Sequence, residues 1–155
     1  MIKKTIKPKI KRPKPLIGWQ EYCGLPALNV PSINAKIDTG AKTSALHAED
    51  IKVFSKLGEK YVRFKVHPLA GSTKQVQICE APLIERRYVV SSNGEREKRY
   101  VIRTQITLGS RSFEAELTLT SRHKMAFRML LGREALRKAR VAVDPTKAHL
   151  MGKKP

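Results

Sequence analysis

Between Ile106 and Thr120 the chain reads ITLGSRSFEAELTLT, an apolar–polar alternation broken once, at Gly109-Ser110. Successive strand residues point to opposite faces, so this pattern buries one face only as a β-hairpin; a period of 3.6 residues would scatter it. An isolated hairpin is marginal in water and needs more strands to cover it. The chain offers them at short intervals. Ala27–Val30, Ile33–Ile37, Tyr61–Val66, Val76–Ile78 and Arg86–Val90 join Tyr100–Leu108 and Ser112–Thr120 as candidate strands, separated by Gly, Pro, Asn and Ser. SSNGE at 91–95 carries the Asn-Gly pair of a tight type I′ turn. One helix is expected, opening near Gly132 as REALRKA, with basic residues in its last turn where they complement the helix dipole. Many short strands and one short helix predict a mostly β fold, a small barrel or sandwich.

At 155 residues the chain has the length of one domain, and 41% hydrophobic with 29% charged residues is a globular composition. Its charge is unusual: 32 Lys+Arg against 13 Asp+Glu give +19. Residues 1–15 hold seven of these bases and no acid, and without them 25 basic residues still face 13 acidic, a surplus of +12. The expected organisation is a basic, disordered tail over 1–15 and a single domain over 16–155. A folded part this basic attracts polyanions, such as acidic peptide segments or, nonspecifically, nucleic acid. No continuous apolar run of 18 residues exists, so no membrane partner and a cytoplasmic location are expected. Cys23 and Cys79 lack any metal or redox spacing and read as reduced, buried side chains.

Several chemistries lack their spacing. GAKTS at 40–44 has no Walker pattern, so no nucleotide cofactor is expected. His47, His67, His123 and His149 stand singly, and no metal ligand set is assigned. What remains is a pair of motifs. Asp38-Thr39-Gly40-Ala41 follows the candidate strand Ile33–Ile37; far downstream stands Met129-Leu130-Leu131-Gly132-Arg133-Glu134. Asp, Thr and Gly also make an ordinary turn. The two motifs together, with a turn and long strands between them, resemble the two signatures of retropepsin-like aspartic proteases. GWQEYCGLPAL, RRYVVSSNGE and ELTLTSRHKM extend the likeness to a bacterial family labelled ATP-dependent zinc proteases or RimK-associated retropepsin-like proteins, over roughly residues 18–145.

That resemblance implies a closed or nearly closed acid-protease barrel, with the Asp loop above the Leu130–Gly132 strand. It implies Asp38 as the catalytic carboxylate, Thr39 as the residue joining two loops across a two-fold axis, and Gly40 as a close backbone approach to substrate. Ala41, Lys42, Arg86, Arg87, Ser91, Ser92, Asn93, Gly94 and Arg133 become the expected substrate contacts, with Ser91–Gly94 as a flap. One Asp-Thr-Gly per chain requires a homodimer for activity. Lys42 stands where many retropepsins carry an acid that pairs with the Arg of the Gly-Arg turn, so extra positive charge beside the site is expected. Lys36 and Arg103 are further candidates to face the cleft. The family's link to RimK-type ligases implies an acidic, glutamate-rich peptide tail as partner, such as that of a glutamylated ribosomal protein. Two other readings stand beside it: a non-catalytic basic module docking on ribosome or RNA, and a zinc-dependent hydrolase as the family label says.

Overall fold

The computed structural model describes residues 13–69, 72, 74–91, 93–122 and 125–152. Most of the expected basic tail therefore lies outside the described residues, as do Ser92 and His123. Eleven strands are described: β1 (Leu16–Ile17), β2 (Gln20–Leu25), β3 (Val30–Ile37), β4 (Ser44–His47), β5 (Glu49–Lys56), β6 (Glu59–Val66), β7 (Gln77–Val90), β8 (Arg96–Leu108), β9 (Arg111–Thr120), β10 (Met129–Leu131) and β11 (Ala142–Val143). The one α-helix, α1, spans Arg133–Ala139. The fold is mostly β, as the alternation predicts.

Nine strands form one sheet in the order β2-β3-β10-β4-β9-β8-β7-β6-β5, and β2 returns to pair with β8. That return closes β2, β3, β10, β4, β9 and β8 into a six-stranded barrel, with β7, β6 and β5 continuing outward from β8. Closure rests on one register contact, Gly24 against Thr107. A Cβ at Gly24 would lie 2.4 Å from Thr107 Oγ1, so the seam closes only where a side chain is missing.

The long hairpin reads as expected. Ile102, Ile106 and Leu108 on β8 and Phe113, Ala115 and Leu117 on β9 point inward. They meet Leu25, Val30, Ile33, Leu46 and Leu131 from the other barrel strands. Beyond the barrel, the outer halves of β7 and β8 extend as an arm, paired from Glu85–Val101 to Val90–Arg96. At its tip, Ser91 N–H donates to Glu95 O (2.8 Å) and Gly94 N–H to Ser91 O (2.9 Å). The turn is thus longer than the expected two-residue type I′ connection, with Gly94 at φ 83°.

Three other expectations are revised. Ala27–Val30 is not a strand: Pro26–Leu28 makes a short 3-10 turn and Asn29 takes a left-handed conformation (φ 56°). Pro fixes φ at such a turn, and Asn tolerates the left-handed region. Val76–Ile78 and Arg86–Val90 belong to one strand, β7, running through Pro82. Pro82 ends the pairing with β6, and Leu83 begins the pairing with β8, so the proline stands where the strand changes partner. Strands β1, β2, β4, β5 and β11 are not among the candidate strands of the sequence. Ser44–His47 is buried at every position and β5 is largely exposed, so neither displays a strong half-buried alternation.

Glu21 organises the end of the barrel near β2. It is fully buried, and its carboxylate accepts N–H donors from Gly18 (2.6 Å), Leu150 (2.9 Å) and Met151 (3.0 Å). His149, stacked on Tyr22, also meets Asn34 Oδ1 (3.1 Å). Both cysteines are buried free thiols. Burial pushes each up to about 12, and for Cys23 the nearby Glu21 charge adds to the effect.

Candidate active site

Residues 38–43 connect β3 to β4, and β10 lies between those strands, parallel to β3 and antiparallel to β4. The loop is held from below. Asp38 N–H donates to Leu131 O (2.9 Å), while Arg133 N–H and Glu134 N–H donate to Ala41 O (2.8 Å) and Lys42 O (3.1 Å). These donors come from the first turn of α1, where N–H groups have no partner within the helix. Gly132 N–H in turn donates to Ser44 Oγ (3.0 Å). A Cβ on Gly132 would lie 2.6 Å from Thr43 O and 2.9 Å from Ala41 O. Both are backbone atoms of the loop, so only glycine lets β10 pass beneath it.

Asp38 is half-buried, Thr39 and Gly40 are exposed. Gly40 N–H donates to Asp38 Oδ1 (2.9 Å), a local Asx turn that fixes the carboxylate. Among the described residues no donor reaches Oδ2. The carboxylate opens on a groove of about 1160 Å³. The groove floor is Asp38, Gly40, Ala41, Lys42 and Thr43 with Leu130. The paired arm strands line the groove with Arg87 to Val90, Ser91 and Asn93 from β7 and its tip and Glu97 and Arg99 from β8, and Thr120, Ser121, Arg122 and Met125 line it at and beyond the end of β9. The arm thus overhangs the carboxylate, an arrangement suited to an extended peptide.

The expected contacts divide. Ala41, Lys42, Arg87, Ser91 and Asn93 line the groove, as does Lys36. Gly94 adjoins Asn93 at the tip without lining it. Arg86 is on the other face of β7, its guanidinium 4.7 Å from the Tyr100 ring centre, because neighbouring strand residues point opposite ways. Arg103 reaches Glu116 (3.5 Å) and borders a separate hollow. Arg133 acts from below, donating to Thr39 O (3.1 Å).

The local charge also differs from expectation. Lys42 does not stand free: its Nζ lies 4.0 Å from Glu134 Oε1. The base in the loop thus meets the acid next to Arg133, while Arg133 itself keeps its place in the Gly-Arg turn. Both side chains are well exposed, so the pair stabilises by less than about 1 kcal/mol. Arg87 bonds Glu85 and Glu116. Burial opposes its charge, but those two carboxylates outweigh burial and hold the guanidinium above its usual range.

Arg122 and Arg99 are groove residues that the sequence reading missed. Arg99 Nε donates to Glu97 Oε2 (2.9 Å). Arg122 N–H donates to His47 Nδ1 (2.7 Å), and its Nε to Phe127 O (3.2 Å). Burial, then the Arg99 charge, pull the Arg122 guanidinium below its usual range, while the Asp38 carboxylate acts the other way. Nothing in the run SRHKM signals this; the residue reaches Asp38 because β9 pairs with β4, bringing Thr120 opposite His47.

The histidines prove less scattered than their spacing suggests. His47 Nε2 and His67 Nε2 meet the Glu49 carboxylate at 3.2 Å and 2.8 Å, and His67 Nδ1 faces Gln75 O at 3.2 Å. Burial pushes the Glu49 carboxyl up, but hydrogen bonds and charge from His67 and His47 outweigh it and hold the group below its usual range. Among the described residues, no group of three or more His, Cys, Asp or Glu has the arrangement to hold a metal ion. The described residues therefore do not fit the zinc of the family label. No helix of the described residues is long and apolar enough to cross a membrane.

The chain is similar to known proteins over nearly its whole length. It is 48% identical over 139 residues to a probable alpha-L-glutamate ligase of Shewanella pealeana, and 46% over 132 residues to one of Desulfotalea psychrophila. These matches cover 90% and 85% of this chain but 30% and 28% of those proteins, so the chain spans about a third of their length. A crystal structure of Lpg0085, a Legionella pneumophila protein of unknown function, matches with a TM-score of 0.74 at 28% identity, covering 88% of this chain and 98% of that one. Residues 16–154 match the RimB-like family model, described as the retropepsin-like aspartic endopeptidase RimB. With its six-stranded barrel and an Asp-Thr-Gly loop locked over β10 and α1, the chain belongs to the RimB-like family of retropepsin-like aspartic endopeptidases.

Proposed function

We propose that this chain supplies one half of an aspartic endopeptidase site, completed when two copies meet about a two-fold axis, and that it acts on acidic, glutamate-rich peptide tails. The observation that carries the catalytic part is Asp38, with one oxygen tied by Gly40 and the other unclaimed at the head of an open groove. Aspartic proteolysis needs two carboxylates close enough to share a proton. Repulsion between them disfavours ionising both, so one takes a proton from the attacking water while the other donates to the scissile carbonyl oxygen. The second carboxylate is Asp38 of a second copy. Thr39, exposed beside it, bonds the two loops across the axis. The arm closes over the bound peptide and excludes water.

Three features support the acidic substrate. The chain carries +19. Lys36 and Arg122 line the groove with no carboxylate within 4 Å among the described residues. The long relatives are named probable alpha-L-glutamate ligases, so a domain like this one shares a polypeptide with a ligase that handles glutamate. The test uses a peptide with an oligoglutamate tail against a neutral peptide of equal length. The acidic tail is expected to be cleaved preferentially and to lose that preference as salt rises, since such attraction is screened over about 8–10 Å at ordinary ionic strength. Lys42→Glu is expected to weaken it more than removal of residues 1–15, and a chelator to leave it unchanged. Equal treatment of both peptides at low salt would refute the substrate class.

A second reading is favoured by the distribution of charge. Five basic groove residues face four acids (Lys36, Lys42, Arg87, Arg99 and Arg122 against Asp38, Glu97, Glu116 and Glu134), so most of the surplus lies elsewhere. That suits a monomeric module docking on ribosomal RNA through phosphate contacts. A monomer at all concentrations that binds RNA and cleaves nothing would favour it.

A further inference from the structure

Few cations of the groove remain open to an anion beside their own ion pairs. Of the basic groove residues, Arg87 is engaged by Glu85 and Glu116, Arg99 by Glu97, and Lys42 faces Glu134. Arg122 differs. Its backbone is fixed by His47 Nδ1 at 2.7 Å and its Nε by Phe127 O at 3.2 Å. Among the described residues no carboxylate lies within 4 Å of it. A guanidinium has five N–H donors in a rigid fork. Here the inner edge is anchored and the terminal nitrogens have no hydrogen-bond partner among the described residues. Lys36, two residues before Asp38 and on the same groove, adds a second cation with no ion pair among them.

The geometry points to Arg122, with Lys36, as a carboxylate-binding subsite beside Asp38 that reads an acidic residue of the peptide in the groove. This deepens the acidic-substrate reading above and rests on it. A side chain anchored at its backbone N–H and at Nε loses less freedom on binding, so each bond its fork forms to a carboxylate contributes more. The Arg99 charge nearby disfavours a second cation, lowering the Arg122 guanidinium, and so favours an incoming anion there. A peptide fits better than a phosphate backbone, because its carboxylates sit on side chains that can turn away from Asp38, Glu97, Glu116 and Glu134, whereas each phosphate of a nucleic acid is fixed in the backbone. A carboxylate seated on Arg122 also sets the register of the peptide against Asp38, making Arg122 a specificity-determining residue rather than a catalytic one.

The test is binding of fluorescent hexaglutamate and a neutral hexapeptide to the full-length chain carrying Asp38→Asn, which removes cleavage from the measurement. Arg122→Gln is expected to weaken hexaglutamate binding about ten-fold, the effect of losing a charged hydrogen-bond partner. The neutral peptide should be unaffected. Arg122→Lys, which keeps the charge but not the fork, should lose roughly three-fold. Arg86→Gln, an equal change of charge off the groove, should change nothing. If Arg122→Gln keeps the full preference for hexaglutamate, the subsite is overturned while the acidic-substrate reading stands. If the unsubstituted pair of peptides bind alike, both fall. Equal weakening of both peptides, or loss of cooperative thermal unfolding in Arg122→Gln together with unchanged binding in Arg122→Lys, would mark the residue as structural and overturn the subsite. An amidated hexaglutamate identifies the source: lost binding assigns the terminal carboxylate, retained binding a side chain, and either supports the subsite. Displacement of hexaglutamate by single-stranded RNA in an Arg122-dependent manner would assign the fork to phosphate and overturn the peptide subsite.

Discussion

Glu21 and Asp38 are two carboxylates of one barrel with opposite fates. Glu21 is fully buried and takes three backbone N–H donors, one from nearby Gly18 and two from the distant Leu150-Met151. Asp38 is half-buried, takes one donor, from Gly40, and faces an open groove. With three of its roughly four acceptor sites taken and no solvent access, Glu21 has no room for a water or a peptide and holds structure. An undersatisfied one retains the capacity for proton transfer, which is what chemistry needs. Exposure and the count of donors together separate the two.

The largest test of this contrast is Asp38→Asn. The amide keeps the Oδ1 acceptor for Gly40, so the thermal midpoint should stay within a few degrees while peptide cleavage is lost by at least about 10³-fold. Retained cleavage would remove Asp38 from the mechanism. The converse is Glu21→Ala, which leaves three N–H groups without their acceptor. At about 1–3 kcal/mol for each buried donor, partly rescued by water, a loss of about 3–5 kcal/mol is expected, lowering the melting temperature on the order of 10 °C. Cleavage per folded molecule at a temperature well below melting should be nearly normal. If it falls as far as in Asp38→Asn, the division between the two carboxylates is wrong.

Gly132→Ala tests the support of the loop rather than its acid. The added methyl meets two backbone carbonyls, which cannot swing aside, so about 1–3 kcal/mol of stability should be lost in urea unfolding, with a disproportionate fall in kcat. A neutral outcome would mean that loop and strand are not locked. The smallest effect concerns pH. Glu49, between His47 and His67, is held below its ordinary 4.5 in the folded state. A depressed carboxyl gives stability that is complete above about pH 4.5 and is lost as pH falls through the lower folded value. Glu49→Gln should therefore flatten the acid limb of stability below about pH 5 while changing little at neutrality. An unchanged acid limb would show that the histidine contacts do not tune it.

Local pattern decided much of this molecule. The alternation from Ile106 to Thr120 has the two-residue period of a strand, which makes it the end of β8, a turn and β9. REALRKA has an acid in its first turn and bases in its last, and it becomes α1. Asp-Thr-Gly and Leu-Leu-Gly-Arg announced a loop and its support because each motif answers a steric demand that few residues meet. The changeover at Pro82 and the barrel seam at Gly24 were not legible. Each depends on which strand arrives from elsewhere in the chain, not on neighbours in sequence.

The same division holds at the site. By itself the sequence determined the carboxylate, the small residues around it and the surplus of positive charge, because these are properties of residue types and short spacings. Only the tertiary structure decided which charges face the groove. It turned Arg86 outward through the two-residue period of β7, matched Lys42 with Glu134 across the loop and helix, and neutralised Arg87 with Glu116. It also carried Arg122 to Asp38 through the β4–β9 pairing. Coulomb interactions fall with distance in space, and distance in space between residues 38 and 122 is set by strand register, which no local stretch of sequence contains.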